Sequence, residues 1–376
     1  MSREEALEIV RQLEEAVNAH DTHRLASIYA DVAVTVSPVF SGIAGRDDIA
    51  KSWDAIFSLF PDWSVKVDNV LVDGDRIAFM GTAGGTDQNG WFGQPATGER
   101  IDYRAIIVLT MAHGKIARDE RIYDLSGILQ RLEKVRLDKE LTMAAEVQRA
   151  LLPNTRHSTT FCEAVGDSIP CHSIGGDFFE MVHLEPGDFA VALGDVGGKG
   201  PASALVAAMI QGMLAVEVEN RHRPAEILAN LNRQLFRRGI APRFATLFLG
   251  ALSPTGRFVY ANAGHNSPIV LTRNGFQRLT TGGTILGAFS ESTFEEGTVA
   301  LSEGDSMIMF SDGVTEASDV HDQEFGEDRL LSYLAAVGDD APTSVLRGIL
   351  GSVREFCDGA AQSDDITAAV IRFHRS

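Results

Sequence analysis

The sequence is poor in cysteine and in positive charge, and both shortages exclude classes of protein. Its 376 residues include three cysteines, Cys162, Cys171 and Cys357, and no CxxC pair. Neither a disulfide framework nor a zinc site is expected, and Cys171 and His172 are interpreted as buried or bystander residues rather than as a metal-binding pair. There are 52 acidic residues against 33 basic ones, a formal net charge of −19. Because nucleic acids bind basic surfaces, this balance argues against a nucleic-acid partner.

Long hydrophobic runs are also missing. The longest apolar stretches, residues 105–112 and 204–216, are too short or too interrupted to span a bilayer. The N-terminal stretch MSREEALEIVRQLEEAV is charged and amphipathic, and it lacks the apolar core of a signal peptide. We therefore expect a cytoplasmic protein with no membrane partner, long enough to form two domains.

Residues 1–125 are predicted to form a small α+β domain. Apolar residues recur at helical spacing from Leu7 to Val17 and again around Leu25, and GRDDIAKSWDAIFSLFP predicts a third helix that ends before Pro61. Alternating runs with DGD and HGK turns follow. Helices followed by a curled antiparallel sheet predict a cone with an internal pocket.

Residues 126–152 contain no proline and, after Gly127, no glycine. Two apolar stripes of different phase run along them, which predicts one long linker helix between two domains. Two interpretations stay open. The helix forms a parallel coiled coil, which would make the protein a homodimer, or it packs on its own domains.

Residues 153–376 have a different pattern. Short apolar runs joined by tight turns predict mostly antiparallel strands, and longer helical stretches predict helices on the outer faces of a sheet sandwich. The glycine-rich turn GDVGGKGPASAL follows one of these strands. It does not match a nucleotide-binding P-loop because no Ser or Thr follows Lys199, and no repeated βαβ units support a dinucleotide-binding fold.

Carboxylates at strand ends indicate the chemistry of this region. Asp177, Asp195 and Asp312 lie at the ends of three predicted strands, and Asp364 and Asp365 lie at the start of a fourth. Such ends can converge on one rim of a sheet, where the charges would repel unless cations lay between them. Oxygen ligands without His or Cys favour Mg²⁺ or Mn²⁺. A single Gly-Asp or Asp-Gly is more simply a turn, but four sites in the same context favour a metal centre.

The motifs IGGDFFE, GDVGGKGPASAL, NAGHNSPIVL, FSDGVTEA, FGEDRLL and SDDITAAVIR occur in an order that resembles the SpoIIE-type phosphatases. These are the bacterial branch of the PPM metal-dependent serine/threonine protein phosphatases. The resemblance covers residues 144–373 and implies an αββα sandwich with two Mn²⁺ or Mg²⁺ ions. It also implies a phosphorylated STAS-type anti-sigma-factor antagonist as the substrate, in partner-switching signalling. A scaffold without activity is the alternative, and the retained carboxylates argue against it.

The resemblance assigns roles to the carboxylates. Asp195 would bridge both metals, and the Val196 carbonyl would complete one site. Asp312 and Asp364 would hold the second metal, and Asp177 would bind directly or through water. Metal-activated water would then attack the phosphoserine or phosphothreonine.

Supporting roles are less determined. Asp365 binds a further ion or orients its neighbour, and Lys199 either meets the substrate phosphate or is solvated. His265 is expected to be structural. Gly197 stands where eukaryotic relatives carry a His, which leaves the acid that protonates the leaving group unassigned.

The first domain resembles the SnoaL-like cone-shaped α+β family over residues 4–132, through GRDDI, PDWSVKVDNVLVDGDRIAFMGTAGGT and GKIARDERIYDLSGILQRL. Asp124 matches the catalytic Asp of the polyketide cyclases, but Asp87 stands where they carry His, which argues against a cyclase or isomerase. A pocket for a small apolar ligand is the better inference, with Trp91, Phe92 and Tyr103 near its lining or in the core. We hypothesise that this domain regulates the phosphatase through the linker helix.

Overall fold

The computed structural model describes residues 1–40, 42–153, 155–184, 187–220, 223–239, 244–337 and 340–375. The chain divides into two compact units, an N-terminal unit (Met1–Glu140) and a C-terminal unit (Leu141–Ser376). The boundary lies inside one continuous helix, Leu125–Leu151. The domain limits expected from the sequence, at 125 and 152, therefore fall at the ends of this helix rather than at the boundary between the units.

The N-terminal unit has helices around a single sheet. Its elements are α1 (Arg3–Asn18), α2 (Thr22–Ile28), β1 (Tyr29–Val36), β2 (Ile43–Ala44), α3 (Arg46–Leu59), β3 (Ser64–Asp73), β4 (Arg76–Thr86), β5 (Arg100–Ala112), β6 (Lys115–Ile122) and the first part of α4 (Leu125–Leu151). The six strands are ordered β2-β1-β6-β5-β4-β3. The sequence predicted helices followed by an antiparallel sheet and did not predict strand β1, which pairs with β6 in parallel. Parallel strands need a crossover, and the long segment between β1 and β6 provides it.

The core of this unit is formed by the apolar faces predicted from the helical spacing. Val10, Leu13 and Val17 on α1 belong to the same buried hydrophobic cluster as Ile77 and Leu109 of the sheet. Ser2 caps α1: its hydroxyl accepts a hydrogen bond from the Glu5 N–H, while the Glu5 side chain accepts one from the Ser2 N–H. Such a capping box satisfies two donors that a helix start leaves unpaired.

The described residues of the C-terminal unit form two six-stranded sheets. Its elements after α4 are β7 (Arg156–Ser158), β8 (Cys162–Ile169), β9 (Phe178–His183), β10 (Phe189–Val196), α5 (Pro201–Asn220), α6 (Pro224–Arg238), β11 (Ala245–Leu252), β12 (Arg257–Ala263), β13 (Ile269–Thr272), β14 (Gly275–Arg278), β15 (Gly282–Gly283), β16 (Gly297–Ala300), β17 (Ser306–Phe310), α7 (Asp312–Thr315), α8 (Gly326–Ala336), α9 (Pro342–Cys357) and β18 (Ile366–Phe373). One sheet is ordered β15-β12-β11-β10-β9 with β16 beside β12, and the other β14-β13-β17-β18-β8-β7.

The C-terminal unit has four layers, two sheets and the helices on their outer faces, and successive side chains of a strand alternate between the two faces of its sheet. On β10, Phe189, Val191 and Leu193 enter the core between the two sheets. Ala190 and Ala192 on the opposite face pack with residues of α5 and α6. The second sheet is covered by α8 and α9 in the same way. Because both faces of each sheet are buried, these strands are almost continuously apolar, and the unit is an αββα sandwich.

Helix α5 is longer than the apolar stretch 204–216, which was expected to be too short or too interrupted to span a bilayer. By length and composition alone it could cross a membrane, with a mean hydropathy of 1.5 over its most apolar window. Its face through Ala207, Ile210 and Leu214 instead packs in the core beside the first sheet. The buried core helix of a globular protein can be as long and as apolar as a membrane-spanning helix. The length and hydropathy of α5 are therefore only weak evidence that it spans a membrane.

Candidate metal centre and N-terminal cavity

The first two predicted ligands lie on neighbouring strands of one sheet. Phe178 of β9 pairs with Gly194 of β10. Asp177 and Asp195 are the next residues along these two strands, so the ladder brings their carboxylates to the same end of the sheet. Asp177 is buried with 5% of its surface exposed, and Asp195 is half-buried.

Asp312 and Asp364 come from the second sheet. Phe310 of β17 pairs with Ala368 of β18. Asp312 begins the short helix α7 after β17, and Asp364 precedes β18. The sequence predicted convergence on one rim of a single sheet, and this was wrong. The carboxylates approach one another from two sheets, because face-to-face packing of the sandwich brings the strand ends of both sheets together.

Asp365 joins the two sheets through hydrogen bonds. Its carboxylate accepts from the backbone N–H groups of Cys171 at 2.8 Å, Gly176 at 2.7 Å and Asp177 at 3.3 Å. The segment that leads from β8 in one sheet to β9 in the other is thereby held next to the site. Both carboxylate oxygens are engaged and the side chain is 5% exposed. This geometry favours a positioning role for Asp365 over the weaker prediction of a metal ligand.

Glycine is required where the segment before β9 approaches β10. A Cβ on Gly176 would lie 2.7 Å from the Val196 carbonyl oxygen and 3.3 Å from Asp195 Oδ1. The bare backbone at Gly176 therefore allows the Val196 carbonyl and the Asp195 carboxylate to lie beside the Asp177 segment. We name Asp177, Asp195, Asp312 and Asp364 the carboxylate cluster.

The carboxylate cluster is electrostatically unfavourable when its charges are considered alone. Burial, followed by the charge of Asp195, raises the pKa of Asp177 well above its ordinary value. Burial and the charges of Asp312 and Asp364 likewise raise the pKa of Asp195. The pKa of Asp312 is also raised, by burial and by Asp364. Each shift means that the protein around these groups disfavours their charged forms.

These residues fit divalent cations. Asp177 Oδ2 is buried without a hydrogen-bond partner in the part of the chain that the structure describes. Buried polar atoms nearly always have partners, so an exception requires an explanation. A cation would satisfy this atom and would stabilise the charged carboxylates, which burial and, after it, mutual repulsion disfavour. The cluster offers only oxygen donors, which suits Mg²⁺ or Mn²⁺.

Three further residues have defined places near the cluster. Lys199 Nζ lies 3.0 Å from Asp364 Oδ2, so the lysine is paired with a predicted metal ligand rather than fully solvated. His265 is buried, and its Nδ1 is 2.7 Å from Thr246 Oγ1. Burial lowers the pKa of His265 to about 4, which agrees with a structural role.

Cys171 Sγ lies within 4.8 Å of carboxylate oxygens of Asp364 and Asp365, closer to the site than a bystander was expected to be.

Gln148 near the end of α4 was not anticipated. Its side chain donates to the Gly175 carbonyl at 2.7 Å and accepts from the Gly175 N–H at 3.2 Å. A single side chain on the helix thus holds the backbone two residues before Asp177. The sequence contains the glutamine within the helix pattern, but no spacing rule predicts its partner 27 residues away.

The N-terminal unit contains a cavity of about 250 Å³. Trp91, Phe92 and Tyr103, which the sequence suggested, are among its lining residues. Asp124 is absent from the lining. Its carboxylate instead accepts from the Gly127 N–H at 2.9 Å at the start of α4, so the predicted pocket role of Asp124 was wrong. The residue precedes the helix, where a carboxylate satisfies a free N–H.

The charged groups at this cavity are Asp119 and Arg121 of β6. Arg121 donates through Nη2 to Asp119 Oδ2 at 2.7 Å and through Nε at 3.0 Å, and the Tyr29 hydroxyl donates to the same oxygen at 2.7 Å. The Arg121 guanidinium also lies 4.6 Å from the centroid of the Trp53 ring. This buried carboxylate is therefore fully partnered within the protein.

The two-sheet sandwich with outer helices and a carboxylate cluster defines the PP2C type of domain. A solved structure has the same fold: the SiaA-PP2C domain of Pseudomonas aeruginosa aligns with a TM-score of 0.56 at 19% identity, covering 64% of this chain and 98% of that domain. The family model of Stage II sporulation protein E (SpoIIE) matches residues 185–374. The chain belongs to the SpoIIE family.

The family model described as SnoaL-like polyketide cyclase matches residues 7–132 of the N-terminal unit.

Two curated relatives are similar over the C-terminal part. The Phosphoserine phosphatase RsbU of Bacillus subtilis (strain 168) is 30% identical over 195 residues, which is 51% of this chain and 56% of the relative. Protein IcfG of Synechocystis sp. is 26% identical over 261 residues, 62% of this chain and 41% of the relative. The chain thus spans about half the length of the curated relatives it matches.

Proposed function

We propose that this protein is a metal-dependent phosphatase that hydrolyses phosphoserine or phosphothreonine in a protein substrate. The convergence of the carboxylate cluster around the unpartnered Asp177 Oδ2 is the observation that carries the proposal. Similarity to a phosphoserine phosphatase supports the reaction class. We further propose a phosphorylated STAS-type anti-sigma-factor antagonist as the substrate, in bacterial partner-switching signalling.

Each residue has a role in this mechanism. Asp195 and the Val196 carbonyl would help to hold the cations, and Asp312 and Asp364 would provide further carboxylate ligands for them. Asp365 and Gln148 hold the Asp177 segment at its distance from Asp195. Two Mn²⁺ or Mg²⁺ ions, when bound, supply the positive charge that activates water and neutralises the transferred phosphoryl group. Lys199, which pairs with Asp364 at 3.0 Å, would exchange this contact for one with the substrate phosphate.

The decisive experiment is Mn²⁺-dependent phosphate release from a phosphorylated STAS protein by the wild-type chain and by Asp195→Asn. We expect release that requires Mn²⁺ and is lost in the variant, with Asp305→Asn as a matched control in a turn outside the cluster. Metal-independent release would contradict the proposed centre. Calorimetric Mn²⁺ binding without any turnover would support the alternative of an inactive scaffold, or a different substrate.

Regulation of this centre by the linker helix α4 is a second part of the proposal. Gln148 is its physical basis, because movement of the helix end would move Gly175 and therefore Asp177. Gln148→Ala should weaken Mn²⁺ binding, and the neighbouring exposed Arg149→Ala should not. Equal Mn²⁺ affinity in both variants, measured by calorimetry, would refute this coupling.

A specific observation also favours ligand binding by the N-terminal unit. The indole N–H groups of Trp53 and Trp63 are buried without hydrogen-bond partners among the described residues, and both side chains line the cavity. A mostly apolar ligand with an oxygen acceptor would satisfy them. The three tryptophans of the chain all line this cavity, so their fluorescence reports on it directly.

The probe for this binding is 1-anilinonaphthalene-8-sulfonate, an aromatic molecule with sulfonate acceptors. We expect it to quench the tryptophan fluorescence at micromolar concentration, and Trp63→Phe to weaken the binding severalfold by removing one N–H. Trp91→Phe is the control, because its N–H is not among the buried unpartnered atoms. Equal effects of the two variants would argue against recognition through the indole N–H.

A further inference from the structure

A groove of about 200 Å³ adjoins the carboxylate cluster in the C-terminal unit. It lies between the end of α9 and residues 359–363, and we name it the α9 groove. Asp364 of the cluster and Gly313, the neighbour of Asp312, both line it. One ordered water needs only about 15 Å³, so the groove has room for side chains of another molecule. Because Asp364 lines it, the groove opens directly beside the proposed metal centre.

Arg354 is the cationic side chain in the lining. It is exposed, and it makes no ion pair or hydrogen bond to the described residues of the chain. Nearby cations are occupied. Lys199 is paired with Asp364, and Arg329 donates to the Phe325 carbonyl at 2.7 Å and stacks on Phe356. Arg354 is therefore available to an anionic group that comes from outside.

The rest of the groove has an apolar floor and a fixed wall. Ile169, Val353 and Ile366 contribute to the floor. In the wall, the Gln362 side chain donates to the Ile169 carbonyl at 2.8 Å and to the Asp364 carbonyl at 2.7 Å. These bonds connect the wall both to β8 and to a residue of the cluster. The shape of the groove is thus coupled to the site itself.

We propose that the α9 groove binds the peptide segment of the phosphoprotein substrate that flanks the phosphoserine. An apolar side chain of that segment packs on the floor, and an adjacent Asp or Glu pairs with Arg354. Two observations select this occupant: the groove is continuous with the cluster, and its cation has no partner among the described residues of a chain whose net charge is −19. Arg354 is then a specificity-determining residue. This inference rests on the proposed phosphatase function.

The test compares substrates with and without a flanking segment. Wild-type, Arg354→Glu, Arg354→Gln and Arg347→Glu chains are assayed with Mn²⁺ on para-nitrophenyl phosphate and on synthetic phosphoserine peptides. The peptides carry Leu-Glu, Leu-Lys or Ala-Ala on either side of the phosphoserine. Arg347 is the matched control, an exposed arginine on the same helix that does not line the groove.

We expect Arg354→Glu to lower kcat/KM for the Leu-Glu peptide about tenfold, through KM, and Arg354→Gln to lower it roughly threefold. Activity on para-nitrophenyl phosphate should stay unchanged in both variants. The Leu-Lys peptide should recover part of the loss in Arg354→Glu. If Arg354→Glu and Arg347→Glu behave alike, or if the wild-type chain hydrolyses para-nitrophenyl phosphate and does not prefer Leu-Glu over Ala-Ala, the inference is overturned.

If the proposed phosphatase function is wrong, the same assays give a different result. In that case the wild-type chain with Mn²⁺ would hydrolyse neither kind of substrate. Fluorescence polarisation with a labelled Leu-Glu phosphopeptide then decides on the groove alone. Binding that is lost in Arg354→Glu and kept in Arg347→Glu supports peptide recognition, and equal binding by both variants rejects it.

Discussion

Both units bury carboxylates, and they treat them in opposite ways. Asp119 in the N-terminal unit is 1% exposed, and it is held by two nitrogens of Arg121 and by the Tyr29 hydroxyl. Asp177 in the C-terminal unit is 5% exposed, yet one of its oxygens has no hydrogen-bond partner among the residues that the structure describes, and the charged neighbours that raise its pKa, Asp195 and Asp365, are also acidic. The first arrangement is complete within the chain, and the second requires cations from outside.

This difference indicates where each unit binds other molecules. Because Asp119 is neutralised internally, the N-terminal cavity is suited to a mostly apolar ligand that needs only a hydrogen-bond acceptor. The carboxylate cluster is suited to metal ions, and through them to a phosphate. A buried acidic residue in a sequence therefore does not by itself indicate a metal site; what decides is whether the chain provides the counter-charge.

The largest effect is expected at the cluster. Asp195→Asn should lower phosphatase activity on the order of 10³-fold, because it removes the ligand proposed to bind both cations. In chelator the same variant should be more stable than the wild type, since it removes a repelling charge. Chemical unfolding followed by circular dichroism measures this change. Lower stability in chelator would mean that the charge of Asp195 is partnered after all.

The matched change in the other unit should act in the opposite direction. Asp119→Asn should lower the free energy of unfolding of the N-terminal unit by about 3 kcal/mol, because it leaves the buried Arg121 without its counter-charge. Urea unfolding followed by tryptophan fluorescence reports on this unit alone, since all three tryptophans belong to it. Asp124→Asn is the control. It retains a helix-capping side chain and should change stability by less than about 1 kcal/mol. Equal losses of stability in Asp119→Asn and Asp124→Asn would contradict the conclusion that Asp119 is the counter-charge of the buried Arg121.

His265 is a buried side chain that is expected to be neutral in the folded protein. Burial lowers its pKa in the folded protein from 6.5 to about 4. The unfolded state therefore binds a proton first as the pH falls, and the stability contributed by neutral His265, present above pH 6.5, is lost between pH 6.5 and 4. The loss amounts to about 3 kcal/mol at most. His265→Gln should remove this part of the pH dependence of unfolding, and an unchanged pH profile would show that His265 is not held neutral.

The smallest effect concerns the backbone that supports the cluster. Gly176→Ala would place a methyl group 2.7 Å from the Val196 carbonyl oxygen. Mn²⁺ affinity measured by calorimetry should fall about tenfold, because such a contact costs on the order of 1–3 kcal/mol when the backbone must shift. Gly212→Ala on α5 is the control, since nothing lies within 4 Å of its added carbon. Affinity unchanged by Gly176→Ala would mean that the Val196 carbonyl is free to move.

Much of the fold could be predicted from local patterns. The strands Ala245–Leu252, Ser306–Phe310 and Ile366–Phe373 and the helix Pro224–Arg238 are among the short apolar runs and helical stretches that predicted strands and helices in residues 153–376. The helix has Pro224 at its start and Gly239 after its end, and the strands are short apolar runs; both signals act over a few residues. The parallel pairing of β1 with β6 could not be predicted this way, because it depends on a partner about 80 residues away.

The sequence by itself determined which residue types could bind metal and in which order their motifs occur, because carboxylates at strand ends are local features. Tertiary structure alone decided how they are used. It brought two sheets to one cluster, engaged Asp365 with three backbone N–H groups, moved Asp124 from a pocket to a helix start, and partnered Asp119 with Arg121. The physical reason is that counter-charge and hydrogen bonding come from neighbours in space, which only the folded chain defines.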